Sequence, residues 1–385
     1  MSNQENAKIW LSPPDMRGEE RKYVEKAFDT NWIAPLGPNV DEFEESLSKY
    51  CGVSSAAALS SGTAAIHLAL KLVDVQPGDY VICQSFTFIG TINPVLYEGA
   101  IPVLIDSEKD SWNMDPELLE EAIIDLRKKN RRIAAIIPVH LYGMPAKMDL
   151  ITAIGRKYEI PIIEDAAEAL GSSFQGRRCG SLAKLSVLSF NGNKIISTSG
   201  GGALLSDNDE YIDRCRYLST QARQPAVHYE HTEVGFNYRL SNVLAGIGIG
   251  QMKVLDDLVA KRRDNYERYM HFFVEELKND LSVEFQPEMK GAYSNRWLTC
   301  MTLKPEGKRA HSRSEVIQVL QEANIESRPL WKPMHLQPVF KDVPNYTSGV
   351  SERLFEQGVC LPSGSSLTDD DFNRIFSAIN SLVNT

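Results

Sequence analysis

The chain of 385 residues is 43% hydrophobic and 24% charged, the make-up of a globular protein long enough for one large domain and a smaller one. Its formal net charge of −10 argues against nucleic-acid binding, because neutralising a phosphate backbone requires a basic surface. The six cysteines are scattered and form no CxxC pair, which predicts reduced thiols in a cytoplasmic protein and no metal site.

The first fifty residues contain one predicted helix and no targeting segment. The N-terminal stretch "MSNQENAKIWLSPPDM" lacks a basic start followed by apolar residues, so no signal peptide is predicted. No apolar run reaches membrane-spanning length, which predicts no membrane insertion. The stretch "DMRGEERKYVEKAFDTNWI" predicts a helix, with Val24 and Phe28 four residues apart, and the prolines and glycine of "APLGPNV" end it.

From about residue 51 to 245, short apolar runs alternate with helical stretches such as "GTAAIHLALKLV" and "DPELLEEAIIDLRKKN". This alternation predicts a mostly parallel sheet covered by helices on both faces. Ligands of such sheets bind outside the carboxyl ends of the strands. The predicted strands are "AAALS" (56–60), "YVICQ" (80–84), "IPVLID" (101–106), "IAAIIPVH" (133–140), "IPIIEDA" (160–166), "LSVLSF" (185–190) and "GALLS" (202–206).

The last part of the chain predicts a smaller α/β domain. One long helix is expected to begin at Ser241 as its N-cap and to continue into the 270s. A strand near "RWLTCMTLK", a helix near "SRSEVIQVLQEAN" and a closing helix follow. The sequence therefore predicts a large domain over 1–245 and a small one over 246–385. The apolar residues at helical spacing in the long helix are Val243, Ile247, Met252, Leu255, Val259, Tyr266 and Phe273.

The turn in "LSSGTAAIHLAL" has the arrangement of a phosphate-binding site. A strand is followed by Gly62 and Thr63 and then by a helix, whose first N–H groups lack intrahelical partners and attract anions. Gly62 allows backbone to approach an anion closely, and Thr63 adds a hydroxyl donor. The alternative is a simple helix N-cap at Ser61 or Thr63, since short Gly-Thr turns are common.

Two further residues carry possible chemistry. Asp165 follows a buried strand in "PIIEDAAEALG", where its carboxylate is able to pair with a protonated ring nitrogen; the alternative is a cap for the next helix. Lys194 lies in "SFNGNKIISTSGGGALL", and a lysine attacks carbonyl groups when burial or nearby cations favour its neutral amine. The alternative is a solvated lysine in a flexible loop. Three glycines at 200–202 indicate tightly packed backbone nearby.

A phosphate cradle, an acid for a ring nitrogen and an activated lysine are together the parts that hold pyridoxal 5′-phosphate. The lysine bonds to the aldehyde, and the acid keeps the ring nitrogen protonated so that the ring accepts electrons. A nicotinamide-dependent dehydrogenase lacks support, because no GxGxxG follows the first strand.

The sequence resembles the DegT/DnrJ/EryC1/StrS family of sugar-nucleotide aminotransferases over nearly its whole length. The resemblance implies the pyridoxal phosphate fold type I, with a large, mostly parallel sheet domain and a smaller C-terminal α/β domain. The similar motifs are "GPNVDEFE", "SGTAAIHLAL", "SFTFIGT", "PVHLYGMPAKMD", "IEDAAEALGSSF", "SFNGNKIISTSGGGAL", "GFNYRLSNVLAGIGIGQM" and "RPLWKPMH".

This resemblance assigns the cofactor contacts. It implies that Lys194 forms the Schiff base and then moves a proton between substrate and cofactor, and that Asp165 pairs with the ring nitrogen. Ser189 joins the glycine and threonine of the turn in holding the phosphate. Phe88 corresponds to the aromatic residue stacked on the ring, with strand-end core packing as the alternative. Glu168 stands where many relatives carry Gln or His beside the cofactor.

The resemblance also implies a homodimer with shared active sites. Asn237, in "GFNYRLSN", would contact the phosphate bound by the other subunit; the alternative is an ordinary loop before a helix. In "RPLWKPMH", Arg328, Trp331 and His335 would line the sugar-nucleotide pocket, His335 otherwise being structural. His228, in "AVHYEH", would border the same pocket.

The activity that the resemblance implies is amino transfer, with L-glutamate giving its amino group to the cofactor to form pyridoxamine 5′-phosphate. The stretches "NWIAPLG", "STQAR" and "IESRPLWKPMH" most resemble bacillosamine-pathway enzymes, which act on C4 of UDP-2-acetamido-2,6-dideoxy-4-keto-glucose. GDP-4-keto-6-deoxymannose is the alternative substrate. A sugar dehydratase is disfavoured, because such relatives carry His in place of Lys194. A non-catalytic regulator is disfavoured because Asp165, Lys194 and the phosphate turn are all retained.

Overall fold

The structure, a computed structural model, describes residues 7–277, 281–304 and 311–383. The first six residues, part of the stretch searched for a signal peptide, lie outside this range. A π-helical turn occurs at Phe272–Glu276, and short 3₁₀ turns occur at Ile89–Thr91, Leu141–Gly143, Met334–Leu336 and Pro338–Phe340. The helices of the described chain are α1 (Glu20–Asp29), α2 (Pro38–Cys51), α3 (Gly62–Leu72), α4 (Asn93–Tyr97), α5 (Pro116–Lys128), α6 (Met148–Tyr158), α7 (Asp209–Ser219), α8 (Asn242–Met252), α9 (Leu255–His271), α10 (Arg313–Glu322), α11 (Val350–Gln357) and α12 (Asp369–Val383).

The strands are β1 (Ser55–Leu59), β2 (Tyr80–Gln84), β3 (Ile101–Ile105), β4 (Ile133–Ile137), β5 (Ile163–Asp165), β6 (Ser173–Phe174), β7 (Arg177–Arg178), β8 (Leu185–Ser189), β9 (Gly202–Ser206), β10 (Val283–Phe285), β11 (Ala292–Tyr293), β12 (Thr299–Leu303), β13 (Arg328–Pro329), β14 (Asn345–Tyr346) and β15 (Gly358–Leu361).

One large sheet runs in the order β1-β9-β8-β5-β4-β2-β3-β14. Two parallel bridges, Ile136 to Ile162 and Val139 to Asp165, join its two four-stranded halves. Strand β9 is antiparallel to both β1 and β8, while the other pairings are parallel. The predicted mostly parallel sheet is confirmed.

Helices cover both faces of this sheet. Ala56 and Ala58 of β1 pack into a cluster with α2 and α8, whereas Ala57 and Leu59 pack into another with α3 and α7. Successive residues of a strand point to opposite faces, so a strand buried on both sides is continuously apolar. This double burial explains why short apolar runs, rather than alternating patterns, marked the strands in the sequence.

A second, antiparallel sheet in the order β10-β12-β15-β13 belongs to the C-terminal part. Its core includes Phe272, Val316 and Phe372, from the end of α9, α10 and α12. Ile9 also packs there and bridges to Ile325, so a segment near the N-terminus joins this core. The division into domains at residues 245 and 246 falls inside α8 and stays a prediction.

The predicted long helix is two helices, which corrects the prediction. Ser241 is its N-cap, with Oγ accepting a hydrogen bond from Leu244 N at 3.3 Å, but α8 ends at Met252 and α9 begins at Leu255. Val254 between them has φ −117° and ψ 8°, outside helical geometry. The apolar spacing continues across this break, because both helices bury side chains against the same cluster.

The cysteines lie in the interior of the protein, and all six are buried free thiols. Cys300 and Cys360 are opposite each other on β12 and β15, with 3.7 Å between their Sγ atoms. Within the described ranges, the helices lack the combination of length and apolar character needed to cross a membrane.

Candidate active site

A cavity of about 640 Å³ lies where the carboxyl ends of several strands meet. Segments that follow β1, β2, β5 and β8 form one wall, and residues near β12 and β13 form the other. This is the position at which ligands of α/β sheets bind. The predicted site residues that line the cavity are Gly62, Thr63, Phe88, Asp165, Glu168, Ser189, Lys194, Arg328 and Trp331.

A second cavity of about 430 Å³ adjoins the first near the N-terminal segment. The two share Leu11, Asn193, Leu298 and Glu326 in their walls. Trp10 lines the second cavity and is 52% exposed. The site therefore extends well beyond the volume around Lys194.

The phosphate cradle is built by the N-terminus of α3. Ser61 is in extended conformation, and its Oγ accepts a hydrogen bond from Ala64 N at 3.0 Å. The alternative interpretation, an N-cap at Ser61, is thus correct, and it is compatible with anion binding. The side chain of Ser61 caps the N–H of Ala64. Gly62 and Thr63 at the helix start line the cavity, where the N–H groups and the dipole of the helix favour an anion.

Two glycines around the cradle have little or no space for a side chain. A Cβ at Gly62 would lie 3.1 Å from Ser189 Cβ. A Cβ at Gly202, where β9 begins, would overlap Gly62 N and the carbonyl group of Ser61. Gly202 therefore lets β9 pack directly against the cradle. This close packing explains why the last residue of the three-glycine run after Lys194 is a glycine.

Replacing Gly202 with alanine is expected to displace the cradle. We expect the unfolding free energy to fall by about 1–3 kcal/mol and the dissociation constant for pyridoxal 5′-phosphate to rise about tenfold. Denaturant unfolding and absorbance titration with the cofactor measure the two effects. Gly200→Ala is the matched control, because a Cβ there has open space within 4 Å. Equal cofactor affinity in both variants would contradict the packing role of Gly202.

Asp165 is a buried acid at the end of β5. Its Oδ2 accepts a hydrogen bond from Thr91 Oγ1 at 2.7 Å, and its Oδ1 accepts one from Ala167 N at 3.1 Å. Residues 166–172 form turns, so Asp165 is not the helix cap of the alternative interpretation. Burial raises the pKa of this carboxyl, and a cationic partner in the cavity would stabilise its charged form.

Lys194 is held in the cavity rather than in solvent, since its side chain is 11% exposed. Its Nζ lies 3.3 Å from Glu168 Oε1 and 4.1 Å from the ring centroid of Trp297. The alternative of a solvated lysine in a flexible loop is therefore wrong. Burial also raises the pKa of Glu168, and the charge of Lys194 opposes that rise.

Aromatic and cationic side chains form the outer wall. The Phe88 ring is 58% exposed and its centroid lies 5.7 Å from that of Trp331. Arg328 forms an ion pair with Glu326, with 2.8 Å between Nη2 and Oε1. This wall offers ring faces for stacking and a guanidinium for an anionic group.

The structure does not bring three predicted residues to this cavity. His335 does not line it, with Nδ1 2.7 Å from Ser85 Oγ and Nε2 3.1 Å from Glu352 Oε1, so its expected place in the pocket is corrected to a structural one. His228 is exposed beside Glu230. Asn237 is exposed and bridges to Thr220. Neither of these two reaches the cavity of its own chain.

Sequence reasoning missed several residues of the site. The ring of Trp297 packs against the ammonium group of Lys194. Thr91 Oγ1 donates a hydrogen bond to Asp165. The backbone N–H of Tyr142 donates a hydrogen bond to Glu168 Oε2 at 2.7 Å. Tyr142 adopts φ 56°, a conformation that is uncommon for a residue with a side chain. Thr91 was in a quoted motif, but Trp297 lies in a predicted strand of the other sheet and gave no local signal.

The residues present fit pyridoxal 5′-phosphate. The cradle of Gly62, Thr63 and Ser189 suits its phosphate, the buried Asp165 suits its ring nitrogen, and Lys194 suits its aldehyde. An α/β sheet of this topology with these groups at its strand ends defines a pyridoxal phosphate-dependent aminotransferase of fold type I.

The chain belongs to the DegT/DnrJ/EryC1/StrS aminotransferase family, whose sequence profile matches residues 14–380. It is 50% identical to EpsN of Bacillus subtilis (strain 168), provisionally described as a pyridoxal phosphate-dependent aminotransferase, over 98% of this chain and 96% of that one. It is 36% identical to the GDP-perosamine synthase of Caulobacter vibrioides over 98% of each chain. A family aminotransferase from Brucella abortus has a similar structure, with TM-score 0.86 and 30% identity over 95% of this chain and 96% of that one. Pyridoxal 5′-phosphate is the cofactor.

Proposed function

We propose that this aminotransferase moves an amino group from L-glutamate to C4 of UDP-2-acetamido-2,6-dideoxy-4-keto-glucose. The product is UDP-4-amino-4,6-dideoxy-N-acetylglucosamine. The observation that carries the proposal is the cavity itself, which joins Lys194 to the aromatic wall and continues into the second cavity. Such a shape suits a sugar at the lysine with a nucleotide beyond it. The motifs similar to bacillosamine-pathway enzymes favour the UDP-linked sugar, and the cytoplasmic location stays a prediction.

The predicted site residues that line the cavity have proposed tasks. The bound cofactor supplies an electron sink for the carbon that loses its proton. Gly62, Thr63 and Ser189 hold the phosphate, and Phe88 packs against the ring. Asp165 keeps a positive charge on the ring nitrogen, because a buried carboxylate stabilises a cation beside it.

Lys194 is proposed to carry the proton. Its Nζ is the one lysine nitrogen among the residues described as lining the cavity. From there it is able to take a proton from one carbon and return it to another, as general base and then general acid. The Lys194 side chain is 11% exposed, so little water surrounds it and its charge interactions are strengthened.

The outer wall is proposed to recognise the nucleotide sugar. Trp331 offers a ring face, and Arg328 offers a guanidinium to the diphosphate. The ion pair of Arg328 with Glu326 lies at the boundary that the two cavities share. A diphosphate at this boundary would place the base in the second cavity, beside Trp10.

A homodimer is part of the proposal. Asn237 and His228 are exposed and do not line the cavity of their own chain, which is the arrangement expected if they serve a partner's site. Val227, Tyr229 and Val234, on the same loop, are 106%, 77% and 82% exposed. Large apolar side chains at such exposure favour contact with a second copy.

GDP-4-keto-6-deoxymannose is the second candidate substrate. The similarity to GDP-perosamine synthase over 98% of the chain favours it. A dehydratase and a regulator without catalysis are disfavoured, because Lys194 is present and reaches the cavity.

A half-reaction tests the substrate. The loaded protein is converted with glutamate, the glutamate is removed, and UDP-, GDP- and dTDP-linked 4-keto sugars are added separately. We expect the visible absorbance of the lysine-bound cofactor to return at least 100-fold faster with the UDP sugar than with the others, about 2.7 kcal/mol of discrimination. Return with the GDP sugar alone would leave the enzyme class intact and contradict the proposed substrate.

A further inference from the structure

The ammonium group of Lys194 is enclosed by two buried side chains. Glu168 approaches it from one side, with 3.3 Å between Oε1 and Nζ, and Trp297 from another, with 4.1 Å from Nζ to its ring centroid. Glu168 is 3% exposed and Trp297 is 1% exposed. We refer to Glu168 and Trp297 as the lysine clamp.

Hydrogen bonds fix both members of the clamp. Glu168 Oε2 accepts from Tyr142 N at 2.7 Å, which orients the carboxylate so that Oε1 faces the lysine. Trp297 Nε1 donates to the carbonyl oxygen of Asn193 at 2.6 Å, the residue next to Lys194 in the chain. The ring is therefore tied to the backbone that carries the lysine.

Asn295 connects the two members. Its Nδ2 donates to the carbonyl oxygen of Glu168 at 2.8 Å, and its Oδ1 accepts from Trp297 N at 2.9 Å. A Cβ at Gly143 would overlap this Oδ1, so glycine is required beside it. Segments from distant parts of the sequence thus hold the clamp in one arrangement.

The other buried acid of the cavity has different partners. Asp165 accepts hydrogen bonds from Thr91 Oγ1 and Ala167 N. Of the two carboxylates, Glu168 is the one within hydrogen-bonding distance of Lys194 Nζ. Charge pairing with the lysine is therefore assigned to Glu168, which leaves Asp165 for a different cation.

We propose that Glu168 and Trp297 are positioning residues that hold the ε-ammonium group of Lys194 whenever this lysine is not bonded to the cofactor. The inference rests on the proposed role of Lys194. A buried ammonium without a partner is costly, and a carboxylate together with a ring face offsets that cost. The clamp also keeps Nζ in one position, so the lysine does not lose orientation between the two halves of the reaction.

Amine labelling of the cofactor-free protein tests the clamp. Lys194 is labelled with a limiting amount of an acylating reagent at pH 8, and its peptide is quantified by mass spectrometry against the exposed Lys184. Glu168→Gln keeps the size of the side chain but removes its charge, so the carboxylate that holds Nζ at 3.3 Å is lost and the amine is more available to the reagent. We expect Lys194 to label about fivefold faster than in the wild type, because the neutral hydrogen bond that Gln is still able to accept is weaker than the charge-assisted one.

Asp165→Asn is the matched control, since it removes an equal charge from the same cavity without removing a hydrogen bond to the lysine. We expect less than a twofold change in this variant. Trp297→Phe, which keeps a ring face, is expected to label within twofold of the wild type, and Trp297→Leu about threefold faster. The comparison of Trp297→Phe with Trp297→Leu tests the clamp independently if Glu168→Gln does not fold.

Equal labelling of Lys194 in the wild type, Glu168→Gln and Trp297→Leu would overturn the proposal, and so would an effect of Asp165→Asn as large as that of Glu168→Gln. The measurement uses no cofactor and no sugar. If the proposed sugar substrate proves wrong, the labelling result therefore keeps its meaning. Whether Lys194 is the lysine that bonds the cofactor is tested separately, by mapping the attachment site of the bound cofactor.

Discussion

Lys194→Ala is expected to lower turnover by roughly 10⁴-fold and to remove the visible absorbance of the lysine-bound cofactor. The reason is that one atom, Nζ, is proposed both to bond the cofactor and to move the proton, and its side chain is enclosed in the cavity. Single-turnover kinetics with glutamate and an absorbance spectrum measure the two losses.

Lys184→Ala is the control for this variant, because Lys184 is exposed on the segment before β8. We expect it to keep both the absorbance and the turnover of the wild type. Lys194→Ala should remain folded, since its removal leaves the hydrogen bonds of Glu168 to Tyr142 and of Asp165 to Thr91 in place. Turnover within tenfold of the wild type in Lys194→Ala would show that another group performs the chemistry.

Asp165→Asn is expected to have the second largest effect, a loss of roughly 10³-fold in turnover. Asparagine has the size of aspartate and is able to accept one of its two hydrogen bonds, from Thr91 or Ala167. It lacks the negative charge that stabilises a protonated ring nitrogen, so the ring becomes a poorer electron sink. Pre-steady-state kinetics of the glutamate half-reaction would report this loss in the rate constant.

Asp257→Asn, on the exposed surface of α9, controls for a change in net charge and is expected to behave as the wild type. Cofactor binding by Asp165→Asn should persist, because the phosphate cradle is unchanged. If the rate constant of the glutamate half-reaction stays within fivefold of the wild type, the carboxylate of Asp165 does not stabilise the protonated ring nitrogen of the cofactor.

Much of the fold was accessible from sequence, because the relevant signals are local. Strands buried on both faces appear as short apolar runs, and Ser241 marks a helix start by its own side chain. Gly62 and Thr63 lie at a helix start, Asp165 lies at a strand end, and Lys194 lies on the loop that follows β8, so the sheet brings them to one edge.

The remainder depends on contacts between distant segments. The break at Val254 interrupts no apolar spacing, so periodicity could not reveal it. Trp297 reaches the cavity because the C-terminal part packs onto the large sheet, and no residue near it in sequence indicates this. His335 was expected in the pocket because the resemblance of "RPLWKPMH" assigned the whole motif to it, yet its ring nitrogens are within hydrogen-bonding distance of Ser85 and Glu352.

The most direct test of the account is to locate the covalently bound cofactor. The protein loaded with pyridoxal 5′-phosphate is reduced with borohydride, digested, and analysed by mass spectrometry for the lysine that carries the added mass. We expect the modification on Lys194 and an unmodified Lys184. Attachment to any other lysine, or none at all in a protein with bound cofactor, would contradict the assignment on which the site depends.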